Sequence, residues 1–117
     1  MAFKFENLLI WQTAFDLSDQ IHCLTKNFPK DELFSLTNQI RRAADSVVLN
    51  ISEGSTGASN AEFARFLNIA LRSAIEVVAC LMIARRRKYV FDNDYDKLYN
   101  DYERLCKMIT SFRNRLH

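Results

Sequence analysis

Arg85-Arg86-Arg87-Lys88 is the densest run of charge in the chain. Cations at the end of a helix do one of two things. They complement the negative pole of the helix dipole, at about 0.3–1 kcal/mol each when exposed. They also offer a surface to the phosphates of RNA or DNA, where binding is electrostatic and weakens steeply with salt. Lys107, Arg113 and Arg115 are expected to extend that phosphate-binding surface. Repeated in several copies of the chain, such weak contacts add up to useful affinity.

A second constellation mixes amides, hydroxyls and opposite charges. Gln39, Arg42, Ser46, Asn50 and Glu53 recur at steps of three and four, which on a helix confines them to a stripe about 80° wide. The stripe borders the apolar face, and Glu62, Arg65, Ser73 and Glu76 make a similar border on the next helix. If those helices form a hairpin, Arg42 falls within about a turn of Glu76. An Arg42–Glu76 ion pair is therefore expected, since a guanidinium fork can bond a carboxylate twice. The preferred role is a polar seam that fixes helix register or a subunit contact. The alternative is a ligand or catalytic carboxylate site.

Signatures of catalysis are missing. His22 and His117 are the only histidines. His22 adjoins Cys23, but neighbouring helical positions diverge by about 100°, a poor arrangement for two metal ligands. No base is placed for a serine nucleophile. Gly54 and Gly57 lack the Lys-Ser/Thr of a phosphate loop. Asp92, Asp94 and Asp96 alternate as in a calcium loop, but Lys97 stands where the loop needs Gly, so helix capping explains them better. Neither a catalytic residue, a metal, a cofactor nor a small-molecule substrate is predicted. Tyr89, Tyr95, Tyr99 and Tyr102 have the chemistry to stack on bases, yet their spacing favours packing.

These residues must be carried by helices. The chain has 117 residues, 49% hydrophobic and 26% charged, with two Gly and one Pro, too few for the turns of a sandwich or barrel. A single domain spanning 1–117 is expected. Ile10, Ala14, Leu17, Ile21, Leu24 and Phe28 mark a first helix from about Leu8 to Asn27, stopped by Pro29. Leu33, Leu36, Ile40, Ala43, Val47 and Ile51 mark a second that runs from after Asp31 to about Glu53, with Gly54 as its left-handed closing residue. Ser59 and Glu62 form a capping box for a third, apolar at Phe63, Leu67, Ala70, Ala74, Val77 and Leu81 and lasting to about Arg87. Asp92 is expected to cap a fourth, seamed by Leu98, Tyr102, Leu105 and Ile109. Short connections make this an all-α, antiparallel up-down-up-down four-helix bundle.

Val77 to Ala84 is apolar all the way round, more than one small bundle covers, so multimerisation is expected. That run is short of the roughly 20 residues that span a bilayer, and no membrane partner is predicted. The start, Met1 to Glu6, lacks the pattern of a signal peptide. Cys23, Cys80 and Cys106 are an odd, unpaired set that suits a reducing cytoplasm, and each is expected to be a buried, inert thiol. A net charge of +2 is too balanced to identify a partner by itself.

Several segments resemble a known family. They are Glu6-Asn7-Leu8-Leu9-Ile10-Trp11-Gln12, Asn27-Phe28-Pro29, Gln39-Ile40-Arg41-Arg42-Ala43-Ala44-Asp45-Ser46-Val47, Asn50-Ile51-Ser52-Glu53-Gly54, Glu62-Phe63 with Arg65-Phe66-Leu67, and Ser73 to Glu76. They look like the bundle proteins encoded in intervening sequences of bacterial 23S ribosomal RNA genes. The resemblance covers nearly the whole chain and is tightest as far as Glu76. It implies a homopentameric ring without enzymatic activity. It also implies kinship with the accessory protein of diversity-generating retroelements, a basic pentamer that binds reverse transcriptase and nucleic acid. RNA, DNA or a nucleic-acid enzyme is thus the expected partner beside the chain's own copies. Members often have a Gly-containing turn after the third helix, where this chain has Arg85-Arg86-Arg87-Lys88-Tyr89.

Overall fold

The computed structural model describes residues 3–116, so Met1, Ala2 and His117 lie outside the described residues. Four helices dominate: α1, Leu9–Thr25; α2, Leu36–Ser55; α3, Asn60–Arg86; and α4, Asp92–Asn114. Short 3-10 turns occupy Lys4–Asn7 and Lys30–Glu32, and no strand occurs among the described residues.

Neighbouring helices run antiparallel, as their cross-links show. Trp11 meets Ser52 while Thr25 meets Arg41, joining α1 to α2. Ser46 meets Ser73 while Gln39 meets Glu76, joining α2 to α3. Phe63 packs on Phe112 and Asn68 accepts from Arg113, joining α3 to α4. Lys97 reaches back to Gln20 and closes α4 on α1. The result is an up-down-up-down bundle of 43 × 23 × 22 Å, with α1 and α3 at diagonal corners. Ile21, Ile40, Ile51, Leu67, Leu81 and Leu105 are fully buried along its axis. Each such side chain contributes about 1.5–3 kcal/mol relative to exposure.

The helix ends differ from the sequence expectation in instructive ways. Pro29 is extended (φ −56°, ψ 143°), so the chain makes a 3-10 turn before α2 begins at Leu36. Leu33 therefore precedes the helix and is 46% exposed instead of joining the core. Gly54 is not a left-handed cap: no glycine has positive φ among the described residues. It is helical and buried, and a Cβ there would lie 2.7 Å from Phe66 Cβ and 2.8 Å from Phe63 Cδ1. Glycine is needed for the close approach of α2 to α3.

The left-handed residue is instead Lys88, at φ 65° after α3. Lys88 N–H donates to the Arg85 carbonyl at 3.0 Å and Tyr89 N–H to the Ala84 carbonyl at 2.9 Å, the paired bonds that close a helix at such a residue. A lysine thus does what a glycine does more cheaply. Ser59 caps α3 as expected, accepting from Glu62 N–H at 3.1 Å. Asp92 does not cap α4. Phe91 occupies that position, and Asp92 lies in the first turn, where its carboxylate accepts from Arg85 Nε at 3.3 Å.

α3 is long and apolar enough to cross a membrane by length and composition, with a mean hydropathy of 1.9 over its most apolar window. In the bundle Phe63, Leu67, Ala70, Ala74, Val77 and Leu81 of this helix belong to the core. Arg72 interrupts its outer side, and Glu76 borders it toward α2.

Candidate functional site

The polar seam lies between α2 and α3. Asn50 Nδ2 donates to the Ser46 carbonyl at 2.8 Å and to Ser46 Oγ at 3.0 Å. Ser46 Oγ and Ser73 Oγ share a 2.8 Å bond across the helix pair. Gln39 Nε2 donates to Glu76 Oε2 at 3.3 Å. The two bonds that cross between the helices, Ser46–Ser73 and Gln39–Glu76, fix their register, because sliding either helix by one turn would separate both.

Two members depart from expectation. Arg42 makes no ion pair with Glu76, whose Oε2 is taken by Gln39. Both instead line a cleft of about 470 Å³ floored by Ser46 and Ser73, with Phe34, 90% exposed, at its rim. Glu53 is exposed at the far end of the stripe and its carboxylate bonds to nothing among the described residues.

The seven basic residues do not form one patch. Arg85 to Lys88 close α3 at one end of the bundle; Arg113 and Arg115 end α4 at the other, where Arg113 Nη1 donates to Asn68 Oδ1 at 2.7 Å. Antiparallel packing separates them: Asn68 precedes Arg85 by about 25 Å of helix. Two of the first four are also engaged. Arg85 pairs with Asp92 and lies over the Tyr95 ring, 4.5 Å from its centroid. Arg87 pairs with Glu32 at 3.1 Å. Arg86 and Lys88 are exposed and free of such partners, as is Arg115, while Lys107 sits 3.9 Å from Glu103.

Glu32, which sequence reasoning missed, ties the two loops at that end together. It accepts from Ser35 Oγ at 2.6 Å, Tyr89 OH at 2.9 Å and Arg87. The hydrogen bond from Ser35, then that from Tyr89, holds its carboxyl below the usual glutamate range. The same bond raises the Tyr89 phenol. Tyr95 and Tyr102 are buried, and Tyr89 and Tyr99 half-buried against the core, which leaves them poor platforms for bases.

Asp45 is a second residue missed, because only the α1–α2 packing reveals its partners. Ser18 Oγ donates to Asp45 Oδ1 at 2.7 Å, and His22 Nε2 bonds the same oxygen at 3.0 Å. Ser and His both face the carboxylate and not each other, so the Ser18 hydroxyl donates to Asp45 and the imidazole is not placed to take its proton. No cluster of three or more His, Cys, Asp or Glu suits a metal among the described residues. Cys80 is buried, and desolvation followed by the charge of Glu76 pushes its thiol up to about 11. Cys106 is half-buried and also raised by burial. Cys23 is exposed, contrary to expectation, because it faces outward on α1.

The outer side of α3 is the largest anomaly. Ile69, Ile75, Met82 and Ile83 are 37, 56, 48 and 41% exposed, with Ala79 open among them. These apolar side chains are spread over residues 69–83 of the outward half of the helix, with Arg72 among them, and monomers rarely expose so much apolar surface on one helix.

A solved structure shares this architecture. It is described as a protein of unknown function from the S23 ribosomal protein family of Bacteroides thetaiotaomicron VPI-5482. It matches with a TM-score of 0.81 and 26% identity, over 90% of this chain and 98% of its own. No curated protein matches the chain. Residues 6–111 match the model of the family described as 23S rRNA-intervening sequence protein. Taken with the four-helix architecture, this match shows that the chain belongs to the 23S rRNA-intervening sequence protein family.

Proposed function

We propose that this chain is a non-enzymatic scaffold of the cytoplasm that assembles with its own copies and presents basic ends to nucleic acid or to an enzyme that works on it. The observation that carries the reading is the exposed apolar stripe on α3, Ile69, Ile75, Met82 and Ile83. Packing against another copy removes that surface from water, at about 25 cal/mol per Å² of apolar area. Arg72 and Glu76 along the same helix suit a protein interface better than lipid. The homopentameric ring implied by the family resemblance is the assembly we favour.

Lys88 at one end, and Lys107 and Arg115 at the other, are the cations best placed for phosphate in an assembly. Each copy repeats them, so an assembly multiplies contacts that are weak singly. A purely protein-binding oligomer is the second reading, favoured by the engagement of Arg85 with Asp92 and Arg87 with Glu32.

Fluorescence anisotropy with labelled RNA and DNA at stepped salt separates the two. The scaffold reading predicts binding at low salt that falls steeply as salt rises, and weaker binding by Lys88→Ala or Lys107→Ala/Arg115→Ala. An assembled protein that retains neither nucleic acid at low salt supports the second reading and removes the first.

A further inference from the structure

Two faces of the bundle carry unpaired charges of opposite sign. On the outer side of α3, Arg72 and Arg86 are exposed and form no ion pair among the described residues. The acid among them, Glu76, turns toward α2 and bonds Gln39. On α1 and α4, Asp16, Asp19, Asp94 and Asp96 are equally exposed and equally unpaired. Lys97, the cation among them, is already held by Gln20 and Asp101.

Both surfaces also carry apolar side chains. Met82 and Ile83 project from α3 one turn before Arg86. Between α1 and α4 runs a groove of about 420 Å³ in which Leu24 and Leu98 lie beneath a rim that includes Asp19 and Asp94. One surface is an apolar ridge that carries unpaired cations; the other is a groove with Leu24 and Leu98 in it, the unpaired carboxylates of Asp19 and Asp94 along it, and Lys97 held there by Gln20 and Asp101.

A two-fold contact between two α3 ridges meets an obstacle. Ala79, the small residue where two helices could approach, has Arg72 seven residues before it and Arg86 seven after. An antiparallel pair centred there sets each copy's Arg72 beside the other's Arg86, twice. A parallel pair sets like against like. Either arrangement desolvates arginines against arginines, which opposes association.

We infer that the α3 ridge of one copy docks in the α1–α4 groove of the next, with Arg72 and Arg86 toward the carboxylates of that rim. The occupant is a second copy of this chain. Because the two surfaces are different, the contact is head-to-tail, and each chain carries one of each kind. This inference rests on the assembly proposed above and adds which surfaces meet.

Two charge-reversed variants test it. Arg72→Glu/Arg86→Glu spoils only the ridge, and Asp19→Lys/Asp94→Lys spoils only the groove. Both changes are on exposed positions, and circular dichroism melts check that each variant folds. At a concentration where the wild type is assembled, each variant alone is expected to show the mass of a single chain. Mixed one to one, they are expected to reassemble beyond a single chain, since the intact ridge meets the intact groove and the reversed ridge of one variant faces the oppositely reversed groove of the other. Cys23 lines that groove, so its alkylation should be slower in the wild-type assembly than in either variant. Wild-type protein that assembles while a variant keeps its full size, or folded variants that stay single when mixed, overturns the pairing and leaves the assembly standing. Wild-type protein that is itself a single chain overturns both.

Discussion

Gly54 on α2 lies so close to α3 that a side-chain carbon on it would come within 2.7 Å of Phe66 Cβ. Phe66 cannot yield by rotating, because the clash is with its first side-chain atom and not with the ring. The contact with Phe63 Cδ1, at 2.8 Å, is tight as well. Gly54→Ala is therefore expected to push α2 away from α3 and to lower stability by about 1–3 kcal/mol. A urea titration checks this; a midpoint equal to or above that of the wild type refutes the close-approach role.

Lys88 holds φ at 65°, a conformation that costs a residue with a Cβ about 1–2 kcal/mol. Lys88→Gly should relieve most of that strain, less what glycine loses in chain entropy. The expected gain is about 0.5–1 kcal/mol, seen as a rise in melting temperature. A fall would mean that the lysine side chain contributes more than its backbone costs.

The carboxyl of Glu32 is held below its ordinary value of 4.5 by Ser35 and then by Tyr89. A group so depressed adds stability that is complete above the unfolded value and is lost as pH falls through the folded one. Acid unfolding of the wild type should thus include a component below the ordinary glutamate range. Glu32→Gln should remove that component and weaken the joint between the two loops at neutral pH. Identical acid profiles of wild type and variant would contradict the role assigned to this carboxylate.

The thiols should react in an order set by exposure and burial. Conditions that dissociate the chain without unfolding it should let Cys23 react first and Cys106 more slowly. Cys80, whose thiol titrates near 11 in the core, should react only on unfolding. Mass spectrometry of alkylated peptides reads the order directly. Early modification of Cys80 would show that the α2–α3 packing opens readily.

The sequence makes the bundle legible because its apolar residues recur at helical spacing: Ile21, Ile40, Leu67 and Leu105 are all core. Ser46, Asn50 and Ser73 could also be placed on facing borders, since the antiparallel hairpin needs only one short turn. Pairings that depend on side-chain reach were not legible. Gln39, one turn before Arg42, takes Glu76, and Asp45 finds Ser18 and His22 on a different helix. Gly54 reads as a helix terminator from its type alone, although it serves a close helix contact. The position that needs a left-handed residue carries a lysine, which no residue preference signals. Nor does local charge density tell that antiparallel helices hold Arg86 and Arg115 at opposite ends.

Whether other copies cover Ile69, Ile75, Met82 and Ile83 is decided most directly by the mass of the wild-type chain in solution. Gel filtration with light scattering at micromolar concentration should give a stable multiple of the 13.7 kDa chain. Ile75→Lys/Ile83→Lys, folded by circular dichroism, should reduce that mass to one chain. A wild-type mass of 13.7 kDa at every concentration tested would contradict the account, because the stripe would then stand open to water on a stable monomer.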